Sequence, residues 1–170
     1  MSFGNKYFPG TISTMAFFPA KRIGSVGDAE LWIGSARDAA DPRFCARFGL
    51  VVNCTKHLPC GDSAPCIRVP IDDAHGENAT LLRSLPATCR AIADALASGA
   101  SVLVHCHAGV SRSASVAAAA LVYMGAGNLE DVVRRVRARK PETFSVSGPD
   151  GKPQFWPALK EWERLVAERQ

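Results

Sequence analysis

The chain has 170 residues, of which 47% are apolar and 21% charged, a balance typical of one globular domain with a full core. Its net charge of +4 at pH 7 is small for a nucleic-acid-binding protein, and we expect no nucleic-acid partner. No apolar run approaches the roughly 20 residues of a membrane-spanning helix, and no secretory signal pattern opens the chain. We therefore expect no membrane partner and a cytoplasmic location, with the nucleus as the alternative.

The domain organisation is predicted from where periodic patterning begins. Residues 1–21 carry glycine, proline and scattered aromatics without a period, which indicates an N-terminal arm. Residues 22–170 then form one folded domain. Residues 134–140 contain four arginines and a lysine, and because they end a predicted helix we interpret them as a solvated face.

Apolar spacing predicts alternating strands and helices. Short apolar or β-branched runs predict five strands, at residues 22–26, 30–34, 49–54, 66–71 and 101–105. Helical spacing and capping residues predict five helices, at residues 35–48, 81–96, 111–124, 128–140 and 153–168. This order predicts an α/β fold with a central, mostly parallel sheet flanked by helices. In such sheets, ligands bind beyond the carboxyl ends of the strands.

The six cysteines do not indicate a disulfide framework, because the chain is long and apolar enough to build a core without one. Cys45, Cys54 and Cys89 sit in apolar patterns and are interpreted as small core residues. Cys60 and Cys66 flank a polar loop and could form a labile disulfide or a metal pair, but we interpret them as bystanders. No second Cys/His pair completes a zinc set, so we expect no metal and no cofactor.

The chemistry is concentrated in residues 105–113, which read His-Cys-His-Ala-Gly-Val-Ser-Arg-Ser. A buried strand is predicted to end there and a helix to begin near Ser111. Loop N–H groups and a helix N-terminus converge in such a turn and cradle an anion. Gly109 gives the backbone freedom to curl tightly, and Arg112 offers a bidentate fork to phosphate oxygens.

The same field favours the thiolate of Cys106, a competent nucleophile towards phosphorus. Ser113 could donate a hydrogen bond to that sulfur, while His105 is expected to face away from the anion and orient the loop from behind. The alternative makes Cys106 a buried structural thiol and Arg112 a surface cation. The strand–loop–helix context favours the anion loop.

If the Cys106 thiolate attacked a phosphate ester, a phosphocysteine would form and the leaving oxygen would need a proton. Such a reaction therefore also needs a general acid. Residues 69–73 end a predicted strand and enter a polar loop, which makes Asp72 and Asp73 candidates. The other interpretation of each aspartate is a loop or capping residue.

At these residues the chain resembles the dual-specificity protein phosphatases, within the protein tyrosine phosphatase superfamily. The resemblance extends to Leu-Trp-Ile-Gly-Ser at residues 31–35 and to residues 50–55 and 101–115, and it covers roughly residues 22–165. It implies a phosphotyrosine phosphatase-like fold, with Cys106 as nucleophile and assistance from Ser113. It also implies a phosphate-binding loop formed by His107, Ala108, Gly109, Val110, Ser111 and Arg112.

The resemblance bears on the residues around the loop as well. The family's acid lies in a hydrophobic-Pro-hydrophobic-x-Asp pattern, which selects Asp73 and leaves Asp72 in reserve. Asn53 would support the phosphate loop by hydrogen bonding. The family's usual Asn after the Lys140-Pro141 pair is absent, and its replacement would have to come from one of three hydroxyl side chains, Thr143, Ser145 or Ser147.

The implied activity is hydrolysis of phosphotyrosine, extending to phosphoserine and phosphothreonine, on a phosphorylated protein substrate. One alternative is a phosphatase for a non-protein phosphoester, such as a phosphoinositide or an RNA 5′-phosphate. Phosphoinositide-directed relatives usually carry lysines at the variable loop positions, which hold none here. A phosphate-recognition module with little turnover is a second candidate function, and sulfur or arsenate transfer on a similar loop is a third.

Overall fold

The computed structural model describes residues 18–169. The sheet has five strands: β1 (Lys21–Val26), β2 (Ala29–Gly34), β3 (Leu50–Asn53), β4 (Cys66–Arg68) and β5 (Val102–His105). Their order across the sheet is β1-β2-β5-β3-β4. Strands β2, β5, β3 and β4 run parallel, and only β1 pairs antiparallel, with β2. The predicted α/β fold with a mostly parallel sheet is confirmed.

Six α-helices and one 3-10 turn surround the sheet in the described part of the chain. The helices are α1 (Ala36–Ala39), α2 (Pro42–Cys45), α3 (Asn78–Ala97), α4 (Arg112–Tyr123), α5 (Leu129–Arg139) and α6 (Trp156–Ala167). The 3-10 turn covers His75–Glu77 and leads directly into α3.

Strand β5 lies at the centre of the sheet, between β2 and β3. Its side chains are therefore buried on both faces. Val102 and Val104 join the main core, and Leu103 packs into a smaller cluster on the opposite face. All three are fully buried. A strand buried on both faces has a fixed position in the sheet. The position of Cys106, which follows His105, is therefore fixed as well.

Helix α4 packs closely against its neighbours because many of its buried side chains are small. Residues 117–120 are four consecutive alanines, all fully buried, and their small side chains let neighbouring elements approach closely. Helix α6 covers α4 with Trp162, whose Nε1–H donates to the Ala119 carbonyl at 3.0 Å. The Trp162 ring also stacks on Tyr123, with centroids 6.1 Å apart. This packing fixes the C-terminal half of α4 against α6.

The prediction of one helix over residues 35–48 is wrong, because α1 and α2 are separate single turns. Asp41 is extended and its carboxylate accepts from the N–H groups of Arg43 and Phe44, which begins a new helix at Pro42. Pro42 has no N–H to continue the bonding of the preceding turn. The two short helices still cover the face of the sheet that carries Leu103.

The predicted strand over residues 66–71 is shorter than expected. Strand β4 ends at Arg68, and the Ile71 N–H donates locally to the Val69 carbonyl at 2.9 Å. Pro70 between them cannot donate to a sheet. Residues 69–73 therefore leave the sheet and pass over the ends of the central strands.

Cys60 and Cys66 form a disulfide, so their interpretation as bystanders is wrong. The bond closes the short loop ahead of β4, and a disulfide was one of the alternatives that the sequence left open for this pair. Cys45, Cys54 and Cys89 are buried free thiols, as predicted.

The arm predicted at residues 1–21 lies mostly outside the described residues, and Lys21 already belongs to β1. Pro19 accepts a hydrogen bond from Lys140 Nζ at 3.0 Å. Lys140 is fully buried and also pairs with Glu142 at 2.6 Å, so it does not share the solvated face predicted for residues 134–140. The four arginines of that run are exposed, as predicted.

None of the helices found between residues 18 and 169 has the length and apolar character needed to cross a membrane.

Candidate active site

Cys106 lies at the carboxyl end of β5, at the entrance to the predicted phosphate loop. Its side chain is only 2% exposed, and its Sγ lies 3.1 Å from Ser113 Oγ. Ser113 is fully buried in the first turn of α4. The strand and the helix thus bring together the thiol and the hydroxyl that the resemblance pairs, in hydrogen-bonding contact.

Gly109 holds the loop against the end of β2. Its φ is +78°, and a Cβ at this position would lie 2.8 Å from the Gly34 carbonyl oxygen, closer than packed atoms approach. A second contact joins the same elements, because the Ala36 N–H donates to the His107 carbonyl at 2.8 Å. The end of β2 and the start of α1 therefore form the platform of the loop.

The platform is itself held by a capping box. Ser35 caps α1, with its side chain accepting from the Asp38 N–H, and the Asp38 carboxylate accepts from the Ser35 N–H at 2.7 Å. Such reciprocal bonds fix the first turn of a helix. The Leu-Trp-Ile-Gly-Ser motif of residues 31–35 thus has a structural role, which is to brace residues 107–109.

Arg112, the first residue of α4, lies under the segment that leaves β4. Its Nη1–H donates to the Ile71 carbonyl at 3.2 Å. Its Nε is buried and has no hydrogen-bond partner among residues 18–169. A buried guanidinium donor of this kind is suited to a charge-assisted bond with an anion.

Asp73 and Asp72 differ sharply in their surroundings. The Asp73 Oδ1 accepts from Ser111 Oγ at 2.7 Å and from Gln154 Nε2 at 2.6 Å. Asp72 instead pairs with Lys56, its Oδ2 lying 2.6 Å from Nζ. Of the two candidate acids, Asp73 is the one that the structure brings to the loop.

Gln154 is a site residue that the sequence analysis missed. It follows Pro153 in the segment between α5 and α6. Its carbonyl accepts from Asn78 Nδ2 at 3.0 Å and its N–H donates to Val146. These bonds aim its side chain at Asp73 from 81 positions away. The only sequence signal was the unusual length of the segment before it.

Support for the loop from the α5–α6 segment comes from backbone and not from a hydroxyl side chain. Phe144, at φ +59°, donates its N–H to the Val110 carbonyl at 2.7 Å. Thr143 Oγ1 turns away to the Lys140 carbonyl, and Ser145 and Ser147 are exposed. The expected replacement by one of these hydroxyl groups is therefore wrong.

Asn53 also differs from its expected role. Its Nδ2 donates to the Leu58 carbonyl at 2.8 Å, and its Oδ1 accepts from the Thr55 N–H and hydroxyl. It organises residues 54–58, not the phosphate loop. The contact between this strand end and the loop region is made by backbone, from the Cys54 N–H to the His105 carbonyl at 2.8 Å.

Burial sets the protonation of the groups behind and beside Cys106. Burial lowers the pKa of His105 to about 4, so the ring is neutral at pH 7. It borders a cavity beside the disulfide, consistent with its expected position behind the loop. Burial and the nearby Arg112 charge also lower the pKa of His107. Burial raises the pKa of Cys54 well above its usual value.

Across residues 18–169, no group of three or more His, Cys, Asp or Glu side chains is arranged to hold a metal ion.

Comparisons with known proteins agree with this geometry. The family model "Dual specificity phosphatase, catalytic domain" matches residues 31–165. Human dual specificity phosphatase 28 is 36% identical over 141 residues, covering 80% of this chain and 75% of that protein. A crystal structure of human DUSP28 superposes with a TM-score of 0.76 at 30% identity, covering 90% of this chain and 99% of that one.

A crystal structure of a mouse putative dual specificity phosphatase complexed with zinc tungstate matches as well. It has a TM-score of 0.74 at 31% identity and covers 95% of this chain and 96% of that one. The chain belongs to the dual specificity phosphatase family. It is a protein phosphatase, and therefore a hydrolase.

The contact of Gly109 with β2 predicts that Gly109→Ala lowers kcat for a small aryl phosphate at least about tenfold, because the loop must move away from Gly34. Gly125→Ala is the matched control, since Gly125 also has a positive φ (+76°) but a Cβ added there would meet nothing within 4 Å. The control is expected to lose about 1 kcal/mol of stability and to keep its kcat. Equal kcat values for the two variants would show that the close approach is not needed.

Neutral His105 predicts a pH-dependent stability. The unfolded chain binds a proton on this histidine below about pH 6.5, whereas the folded protein binds it only near pH 4. Stability is therefore lost as the pH falls between these values. Between pH 7.5 and pH 5.0, we expect the free energy of unfolding of the wild type to fall by about 2 kcal/mol more than that of His105→Asn. Urea unfolding at the two pH values measures both. Parallel losses in the two proteins would contradict the assignment.

Proposed function

We propose that the chain hydrolyses phosphotyrosine, and phosphoserine or phosphothreonine as well, through a phosphocysteine intermediate on Cys106. The observation that carries this proposal is the hydrogen bond from Ser111 to Asp73. It joins a carboxylate to the same short loop that holds Cys106 and Arg112. Nucleophile, anion-binding group and proton donor thus surround one point.

In the first step, the Cys106 thiolate attacks phosphorus in line with the leaving oxygen. The S–P bond forms while the P–O bond to the substrate side chain breaks. Arg112 and the loop N–H groups stabilise the charge on the equatorial oxygens. Asp73 gives its proton to the leaving oxygen. Because both hydrogen bonds at Asp73 fall on Oδ1, we assign this proton to Oδ2.

In the second step, water attacks the phosphocysteine. The Asp73 carboxylate takes a proton from the water, the P–O bond to that water forms, and the S–P bond breaks. Ser113 Oγ, 3.1 Å from Sγ, donates a hydrogen bond to the sulfur as it regains negative charge. Inorganic phosphate leaves, and Cys106 and Asp73 return to their starting protonation.

A monophosphorylated side chain is the substrate that the charges of the loop favour. Among the variable loop positions, only His107 could add a cation, and burial together with the Arg112 charge lowers its pKa. At neutral pH, Arg112 is then the one full positive charge that the loop offers a substrate. A polyphosphorylated headgroup would need more cations than this. The family's protein phosphatases point the same way.

The proposal predicts distinct rates for an aryl phosphate in the presence of a chelator. Cys106→Ser abolishes turnover, and Asp73→Ala lowers kcat by roughly 10²- to 10⁴-fold, the usual contribution of a general acid. Asp72→Ala is the matched control, because it removes the neighbouring carboxylate that pairs with Lys56, and its kcat stays within about twofold. The wild-type pH–rate profile is bell-shaped, since catalysis needs a thiolate and a protonated acid together.

A serine variant that keeps its rate would exclude Cys106 as the nucleophile. A wild type without turnover would favour phosphate recognition without catalysis. Values of kcat/KM for phosphotyrosyl and phosphothreonyl peptides, a phosphoinositide headgroup and an RNA 5′-phosphate then identify the substrate class. A non-protein substrate with the highest value would overturn the proposed preference.

A further inference from the structure

A basic groove lies beside the active site, between α5 and α6. Residues of α5, the start of α6 and the segment that joins them line it. They include Val133, Arg134, Arg137, Lys152, Pro153 and Trp156. The groove is open to solvent and spans about 920 Å³, counting that open space. None of these side chains takes part in the proposed chemistry.

The groove carries two cations, Arg137 and Lys152, that form no ion pair in the described part of the chain, although the Asp150 carboxylate accepts from the Lys152 backbone N–H at 3.1 Å. Arg137 donates to two backbone carbonyls, from Nε to Thr143 at 3.3 Å and from Nη2 to Phe144 at 3.1 Å. Lys152 Nζ lies 5.7 Å from the centroid of the Trp156 ring. Neither cation forms an ion pair with a carboxylate among the described residues.

The other charges around the groove are compensated. Arg134 pairs with Asp131 at 2.8 Å. Glu130, the acidic residue of the lining, pairs with Lys160 at 3.2 Å and interacts with Lys152 at longer range. Once these pairs are discounted, an excess of positive charge remains at Arg137 and Lys152. An acidic ligand therefore fits the groove by charge.

The shape and lining of the groove favour an acidic peptide over an anionic lipid surface or a nucleic acid. Val133 on the groove wall is only 5% exposed, Pro153 is half-buried, and Trp156 presents a half-buried ring. An extended peptide could lay an aliphatic stem on Trp156 and place a carboxylate between the two cations. A lipid surface or a nucleic-acid backbone would favour a broad, flat basic face over a groove with two cations.

The groove shares its walls with the supports of the active site. Arg137 binds the Phe144 carbonyl, and the Phe144 N–H in turn binds Val110 of the phosphate loop. Pro153 directly precedes Gln154, whose side chain binds Asp73. A peptide in the groove would therefore lie next to the phosphorylated residue being hydrolysed.

We propose that this groove docks an acidic segment of the phosphoprotein substrate, flanking the phosphorylated residue. The proposal rests on the proposed function, because the ligand is part of the same substrate. It makes Lys152 and Trp156 determinants of substrate specificity, outside the catalytic machinery.

The test compares two phosphotyrosyl peptides that differ only in flanking residues, three glutamates in one and three glutamines in the other. We expect the wild type to have a lower KM for the glutamate peptide. Lys152→Glu should raise that KM about tenfold, which equals about 1.4 kcal/mol. It should leave the glutamine peptide and a small aryl phosphate within about twofold. Arg90→Glu, an exposed residue of α3, makes the same charge change away from the groove and should alter neither KM.

Peptide binding to Cys106→Ser, with and without Lys152→Glu, gives a readout that does not depend on turnover. Fluorescence anisotropy should show that adding Lys152→Glu to Cys106→Ser weakens binding of the glutamate peptide and leaves binding of the glutamine peptide unchanged. If the wild type had equal KM values for the two peptides, with normal turnover of both, the docking proposal would be wrong and the proposed function would be unaffected. Loss of turnover on every substrate by the wild type would overturn both.

Vesicles of phosphatidylcholine with phosphatidylserine provide the remaining arm of the test. If Lys152→Glu weakened vesicle binding but not binding of the glutamate peptide, the groove would face anionic lipid and the peptide proposal would be wrong. Circular dichroism of the variant should match the wild type, because Lys152 is exposed and surface changes of this kind seldom disturb folding.

Discussion

The missing side chain of Gly109 allows the phosphate loop to lie directly on the backbone at the end of β2. Any Cβ there would meet the Gly34 carbonyl at 2.8 Å, and the adjacent Ala36 N–H already binds the His107 carbonyl. This contact sets the curvature of the loop between the central strand and α4. The positions of Cys106, at the start of the loop, and Arg112, at its end, follow from that curvature.

The acid reaches the loop through a different part of the fold. Asp73 lies in an irregular segment that leaves the sheet, and it is held by Ser111 from the loop and Gln154 from the α5–α6 segment. That same segment supplies the Phe144 N–H to Val110 and one wall of the basic groove. The segment between α5 and α6 thus links the proposed substrate docking, loop support and placement of the acid between Phe144 and Gln154.

The sequence predicted those features that are local in the chain. The strand, loop and helix that carry Cys106, Gly109 and Arg112 are contiguous, so their types and spacing were enough to identify an anion loop. The residues alone left Asp72 and Asp73 open; the family resemblance selected Asp73, and the structure brings Asp73 to the loop. The mostly parallel sheet followed from the alternation of strands and helices.

The features that the sequence did not predict depend on contacts between distant segments. Gln154 lies 81 positions from Asp73, and nothing in its neighbours distinguishes it from a surface residue. Phe144 supports the loop through its backbone, which no side-chain pattern reveals. The full burial of Lys140 likewise depends on a distant contact, with the Pro19 carbonyl. Two differences have local causes: Asp41-Pro42 begins a second helix within residues 35–48, and Pro70 follows the early end of β4 at Arg68.

The covalent intermediate is the central claim, and rapid-quench labelling tests it most directly. A peptide carrying ³²P-labelled phosphotyrosine would be mixed with the wild type and with Ser113→Ala, quenched in acid and digested. We expect label on the peptide that contains Cys106, with more of it in Ser113→Ala, because the sulfur leaves more slowly without its hydrogen bond. Label on another residue, or turnover of the labelled peptide with no labelled protein in either form, would contradict the phosphocysteine mechanism.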